Sequence, residues 1–220
     1  MTVMADTCLR VLPLIRMFDV VVCDLPGHGM SGEVDDVSSS AFAQEYAALI
    51  DRYIPRPQHL YIIGESYGGL VGAALAVMRP DRVRRLFLLD TPLCLTRPPL
   101  RALLTARWQG YSLSPYIRRI LLEVFNVDPQ DSAPRESKTH YTMFGGLQIG
   151  CTLLAGQEDF VLGDPPADWR PPSQLTDADL ATLETYGKVS VLPRIEAAGH
   201  CLLLDNPAAC VAAMARCMAG

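Results

Sequence analysis

The stretch Leu60 to Leu75, LYIIGESYGGLVGAAL, decides how the rest of the chain is read. An apolar run (Leu60 to Ile63) reads as a strand, Gly64 ends it, and a helix-compatible run opens just past Ser66. Gly64-Glu65-Ser66-Tyr67-Gly68 fits G-x-S-x-G, a pattern in which glycines stand where side chains would collide with backbone in a tight strand-to-helix turn. Gly68, Gly69, Gly72, Ala73 and Ala74 also let the following helix lie close on a sheet. Such a turn presents one hydroxyl, that of Ser66, at the end of a strand.

Working outward, apolar runs alternate with helical patterns, which predicts an α/β fold with a mainly parallel sheet and flanking helices. FDVVVCDL (Phe18 to Leu25) reads as a strand buried on both faces. SSSAFAQEYAALIDRYI predicts a helix capped by serine, with Phe42, Tyr46, Leu49, Ile50 and Tyr53 on one face. Val83 to Asp90 is a further strand, and QIGCTLLAG and GKVSVLPRIEAAG supply two more. A last helix follows Asn206, with Pro207 at its first position. Between about 92 and 146 the alternation fails, and helix-like pieces (LRALLTARWQGY, SPYIRRILLEVF) predict a small helical insertion within one domain spanning 1–220. The Pro-rich GDPPADWRPPSQ reads as a surface excursion, and short arginine runs such as RPDRVRRL read as solvated charges.

Composition narrows the class. With 220 residues, half of them hydrophobic and a fifth charged, the chain can bury an ordinary core. A net charge of −5 argues against nucleic acid as partner. No run nears the roughly 20 apolar residues of a membrane span. The N-terminus lacks the basic start and clean apolar core of a secretory leader. Seven scattered cysteines without a C-x-x-C pair fit reduced thiols in a cytoplasmic protein, and four histidines without paired ligand spacing indicate no metal. No cofactor motif is present.

On these residues the chain resembles the α/β-hydrolase family. DLPGHGMS (Asp24 to Ser31) is similar to the loop after the fourth strand in many lipases and esterases, LLAGQEDFV (Leu153 to Val161) to the strand end that presents a triad acid, and AAGHCLLLDNP (Ala197 to Pro207) to the loop that delivers a triad histidine. A serine hydroxyl is a weak nucleophile and needs a base within reach, and an imidazole needs an acceptor that fixes its tautomer. The resemblance implies Ser66 as nucleophile, His200 as base and Asp159 as acid, in this fold's chain order. Glu158 is the neighbour of Asp159, and Asp90, ending VRRLFLLD, is where some relatives carry the acid instead. His28, in the turn-rich loop, is read as structural or substrate-side.

The family's N-terminal strands have no counterpart ahead of Phe18, so the fold is expected to be N-terminally shortened. The Tyr67 backbone N–H is the one expected oxyanion donor; a missing donor costs roughly 10²- to 10³-fold in rate in a well-studied case. A strand that normally lies between FDVVVCDL and LYIIG is also missing, so those two runs must pair directly, leave a gap or accept a strand from elsewhere.

The resemblance implies a serine hydrolase acting through an acyl-enzyme on an ester or thioester. The insertion, rich in Leu100, Leu103, Leu104, Trp108, Tyr111, Tyr116, Leu121, Leu122 and Phe125, favours an apolar small-molecule substrate, although at helical spacing such residues mostly pack on the body. Acyl transfer by the same residues, or ligand binding on a catalytically impaired scaffold, are the alternatives.

Overall fold

The structure is a computed structural model, and it describes residues 18–94, 101, 104–105, 108–109, 113–128, 139–157 and 171–219. Four parallel strands form one sheet in the order β1-β2-β3-β4: β1 (Leu60–Glu65), β2 (Val83–Leu89), β3 (Gly150–Leu154) and β4 (Val189–Val191). Among the described residues the bounded helices are α1 (Ser39–Tyr53), α2 (Tyr67–Met78), α3 (Pro115–Glu123), α4 (Asp177–Glu184), α5 (Leu202–Asp205) and α6 (Pro207–Met218), with a 3-10 helix at Tyr141–Gly146.

The continuous apolar runs follow from burial on both faces. In β2, Leu86 and Leu88 join a cluster with Ala73 and Ala76 of α2 and Leu183 of α4. Phe87 and Leu89 point the other way, onto Leu202, Leu203, Cys210 and Met214 of α5 and α6. A third cluster joins α1, α2 and α3 through Phe42, Ile50, Leu70, Val71, Tyr116, Ile120 and Leu121. The aromatics of the 92–146 segment that are described, Trp108 and Phe125 among them, thus pack on the body.

Helix starts match their sequence signals. Ser38 Oγ accepts from Ala41 N–H at 3.1 Å, and Asn206 Oδ1 accepts from Ala209 N–H at 3.2 Å ahead of Pro207. The buried face of α1 is Phe42, Ala43, Ala47 and Ile50, whereas Leu49 and Tyr53 are exposed. The small alanines bring α1 against α2, which turns the larger side chains outward.

Two other expectations are corrected. Phe18 to Leu25 is not a strand: it makes no ladder to β1, which is the edge of the described sheet. Phe18 meets Tyr61 edge-on at 5.2 Å and Val20 leans on the cluster under α6, while Val21 is 70% exposed. The segment alternates half-buried and exposed residues, touching the body through side chains and not through ladder hydrogen bonds. The arginine run is not a set of solvated charges either. Arg82 is 2% exposed, donating to Ile54 O at 2.8 Å and pairing with Asp51 at 3.3 Å, and Arg79 grips the same carboxylate at 2.6 Å. Those arginines tie the C-terminal end of α1 to the α2–β2 turn.

Candidate active site

The site is assembled where parallel strands end. Gly64 and Glu65 of β1 lie level with Leu88 and Leu89 of β2, so the next residues, Ser66 and Asp90, leave the sheet side by side. Carboxyl ends of neighbouring parallel strands are where open α/β sheets gather functional groups. Ser66 N–H donates to Leu89 O at 3.0 Å, and Asp90 N–H donates to Leu154 O at 2.8 Å.

Both residues hold left-handed backbone. Ser66 sits at φ 53° and ψ −124°, and Asp90 at φ 43°. Such conformations cost of order 1–3 kcal/mol each and persist only where the surroundings impose them. At the serine the surroundings are glycines. A Cβ on Gly64 would lie 2.5 Å from Gly68 O, and one on Gly69 would run into the Thr91 hydroxyl. Gly64 and Gly69 are therefore what let α2 start directly against β1, whereas a Cβ on Gly68 would meet nothing within 4 Å.

His200 arrives from the loop after β4, just ahead of α5, and is buried at 6% exposure. Its backbone N–H donates to Pro171 O at 2.7 Å, and Gly199 N–H donates to Asp205 Oδ2 at 2.9 Å, so the loop is pinned on both sides of the ring. Nε2 lies 2.9 Å from Ser66 Oγ, and Nδ1 lies 2.7 Å from Asp90 Oδ2. A carboxylate only accepts, so Nδ1 carries the hydrogen and Nε2 is left to accept from the serine hydroxyl.

Asp90 is fully buried and surrounded by donors. Gln174 N–H donates to Oδ2 at 2.8 Å, Ser173 Oγ–H to Oδ1 at 2.5 Å, and Gly156 N–H approaches Oδ1 at 3.4 Å. Arg194 backs this group, donating to Gly156 O at 2.7 Å and to Leu175 O at 2.9 Å and pairing with Asp177 at 2.8 Å.

Of the residues expected from sequence, Ser66 and His200 are brought into hydrogen-bond contact. Asp159 and its neighbour Glu158 lie outside the described residues; the carboxylate on Nδ1 is that of Asp90, the alternative. Tyr67 is the first residue of α2, where a backbone N–H has no intrahelical acceptor, and its ring is locked by a 2.7 Å bond from its hydroxyl to Val37 O. His28 serves its own turn, with Nδ1 3.0 Å from Pro26 O. Ser173 and Gln174 were missed, because the Pro-rich segment reads as surface; its last residues are in fact packed beneath the acid, with Gln174 5% exposed. A polar pair ending a Pro-rich loop just before a helix cap carries no signal of that role. Among the described residues no cluster of His, Cys, Asp and Glu has a metal-binding arrangement, and no helix is long and apolar enough to cross a membrane.

The sequence model of the alpha/beta hydrolase family matches residues 10–213. A serine hydrolase-like protein of Homo sapiens is 29% identical over 167 residues, covering 74% of this chain and 75% of that protein. A pimeloyl-[acyl-carrier protein] methyl ester esterase of Klebsiella pneumoniae is 36% identical over 81 residues, 37% of this chain and 29% of that protein. Among solved structures, an esterase of Mycobacterium tuberculosis superposes with a TM-score of 0.64 at 20% identity, covering 99% of this chain and 80% of that one.

Proposed function

The chain belongs to the alpha/beta hydrolase family, and from that premise we propose that it is a serine hydrolase that cleaves an apolar carboxylic ester or thioester through an acyl-enzyme on Ser66. Esterases among its relatives support a hydrolase of ester substrates. The observation that carries the finer reading is the unbroken row Ser66 Oγ, His200 Nε2, His200 Nδ1, Asp90 Oδ2, with contacts of 2.9 and 2.7 Å.

In this reading His200 takes the Ser66 proton as Oγ adds to the substrate carbonyl, and Asp90 stabilises the imidazolium. The Tyr67 N–H, at the positive end of α2, stabilises the developing oxyanion. The imidazolium then protonates the leaving alcohol or thiol. Water, activated by the same ring, releases the acid and restores Ser66. Asp90 takes the role expected for Asp159, because Nδ1 has one hydrogen and Asp90 accepts it. The preference for an apolar substrate rests on the 92–146 segment, whose Leu104, Trp108, Leu113 and Ile117 are only partly covered.

A panel of short- and medium-chain aryl esters and thioesters tests the proposal. Turnover by the wild type that is lost in a folded Ser66→Ala variant is expected. Equal turnover by both would refute it.

A further inference from the structure

The second position of G-x-S-x-G, just ahead of the serine, needs only a residue that fits the turn; acyl chemistry does not ask for a carboxylate there. Here it is Glu65, and its side chain spans two parts of the site that are far apart in sequence. Leu203 N–H donates to Glu65 Oε1 at 3.2 Å, across 138 residues. Leu203 lies three residues after His200, in the short helix whose last residue, Asp205, accepts from Gly199 N–H. The imidazole segment is thus held by one carboxylate of its own and by one sent over from the serine's turn.

We propose that Glu65 is a positioning residue for the reaction assigned to Ser66: its carboxylate ties the serine turn to the His200 segment, and its negative charge steadies the imidazolium formed when the proton passes from Ser66 Oγ to His200 Nε2. The inference rests on the Ser66–His200–Asp90 reading.

The surroundings give this residue a titration in the working range. The groups acting on it are His200 ahead of α5, Asp205 at the end of α5, Asp90 at the end of β2 and the Cys210 thiol of α6. Burial is the largest influence and pushes the Glu65 carboxyl up to about 7; the Leu203 N–H and His200 pull it down, and Asp90 and Asp205 raise it. Full activity then requires two protons to be absent, one from His200 and one from Glu65. The acid limb of the rate profile is steeper than a single imidazole would give.

The test is the rate at which a fluorophosphonate labels Ser66 as a function of pH, alongside kcat and KM for an aryl ester. Glu65→Gln keeps an acceptor for Leu203 N–H and nearly the same volume but cannot ionise. Its log rate is expected to rise with a slope of about one, against a steeper limb in the wild type. Its plateau is expected to fall about 3- to 10-fold in kcat with KM little changed, as losing half to one pKa unit of imidazolium stabilisation implies. Glu65→Asp, which keeps the charge, should restore the steep limb at a reduced rate and guards against a glutamine variant that folds poorly. A Glu65→Gln profile with the wild-type slope and plateau would overturn the inference, and so would a uniform loss that leaves the profile's shape unchanged. Failure of the wild type itself to label at Ser66 would instead remove the site reading, and this inference with it.

Discussion

Asp90→Asn separates charge from geometry at the acid. Oδ2 accepts from His200 Nδ1 and Gln174 N–H, and Oδ1 faces Ser173 Oγ and Gly156 N–H. An asparagine satisfies this best with its carbonyl oxygen at the Oδ2 position and its amide toward Ser173, whose hydroxyl can turn to accept. The imidazole then keeps its tautomer and its place, and what is lost is the negative charge facing the imidazolium together with the long 3.4 Å contact from Gly156 N–H. Opposite charges about 4 Å apart at an effective dielectric near 20 attract by roughly 4 kcal/mol. At about 1.4 kcal/mol per decade this is roughly a 10³-fold fall in kcat/KM for an aryl ester, carried by kcat. The assay is steady-state ester hydrolysis with Asp159→Asn measured in parallel, which should stay within about threefold of wild type because substitutions off the reaction path are usually mild. An Asp90→Asn enzyme within about tenfold of wild type would refute the reasoning, as would an Asp159→Asn enzyme that falls as far as Asp90→Asn.

Ser173→Ala removes the 2.5 Å donor to Asp90 Oδ1 and is expected to lower kcat about tenfold with KM little changed, the worth of one hydrogen bond to a charged group; unchanged steady-state kinetics would contradict it. Arg82→Ala strips a buried guanidinium from Ile54 O and Asp51 and should cost about 2–3 kcal/mol in urea unfolding, against under about 0.5 if the residue were a surface charge. Glu65 makes stability depend on pH with a defined sign. Its folded value, about 7, lies above the ordinary 4.5, so the folded state holds the extra proton between them. Its stabilisation is therefore complete below the unfolded value and is lost as pH rises through about 7. Relative to wild type, Glu65→Gln should gain stability from acid to alkaline pH in denaturant titrations; a constant difference would contradict this.

The parts of the molecule legible from sequence are those whose causes are local. The Gly64 to Gly69 turn, the serine and asparagine caps and the two-faced apolar strands each follow from sterics or hydrogen bonding within a few residues. Ser66 and His200 could be paired from the sequence because each sits in a turn with its own pattern, and their side chains lie 2.9 Å apart. The acid was not settled, since both Asp90 and Asp159 end strand-like runs and only the register of β1 on β2, Glu65 level with Leu89, sets Asp90 beside Ser66. Phe18 to Leu25 misled for a related reason: its β-branched run suits a strand buried on both faces, but none of its residues is buried and none of its backbone groups bonds to β1. Arg82 misled because charge suggests solvent, whereas its partners, Asp51 and Ile54, come from another helix's end.

The central claim is that Ser66 is an activated nucleophile whose reactivity comes from His200 and Asp90. Intact-protein mass spectrometry after fluorophosphonate treatment, followed by peptide mapping, addresses it most directly. One adduct per chain on Ser66, formed far more slowly in His200→Ala and Asp90→Asn, is the result expected. An adduct elsewhere, or labelling of the wild type no faster than of His200→Ala, would contradict it.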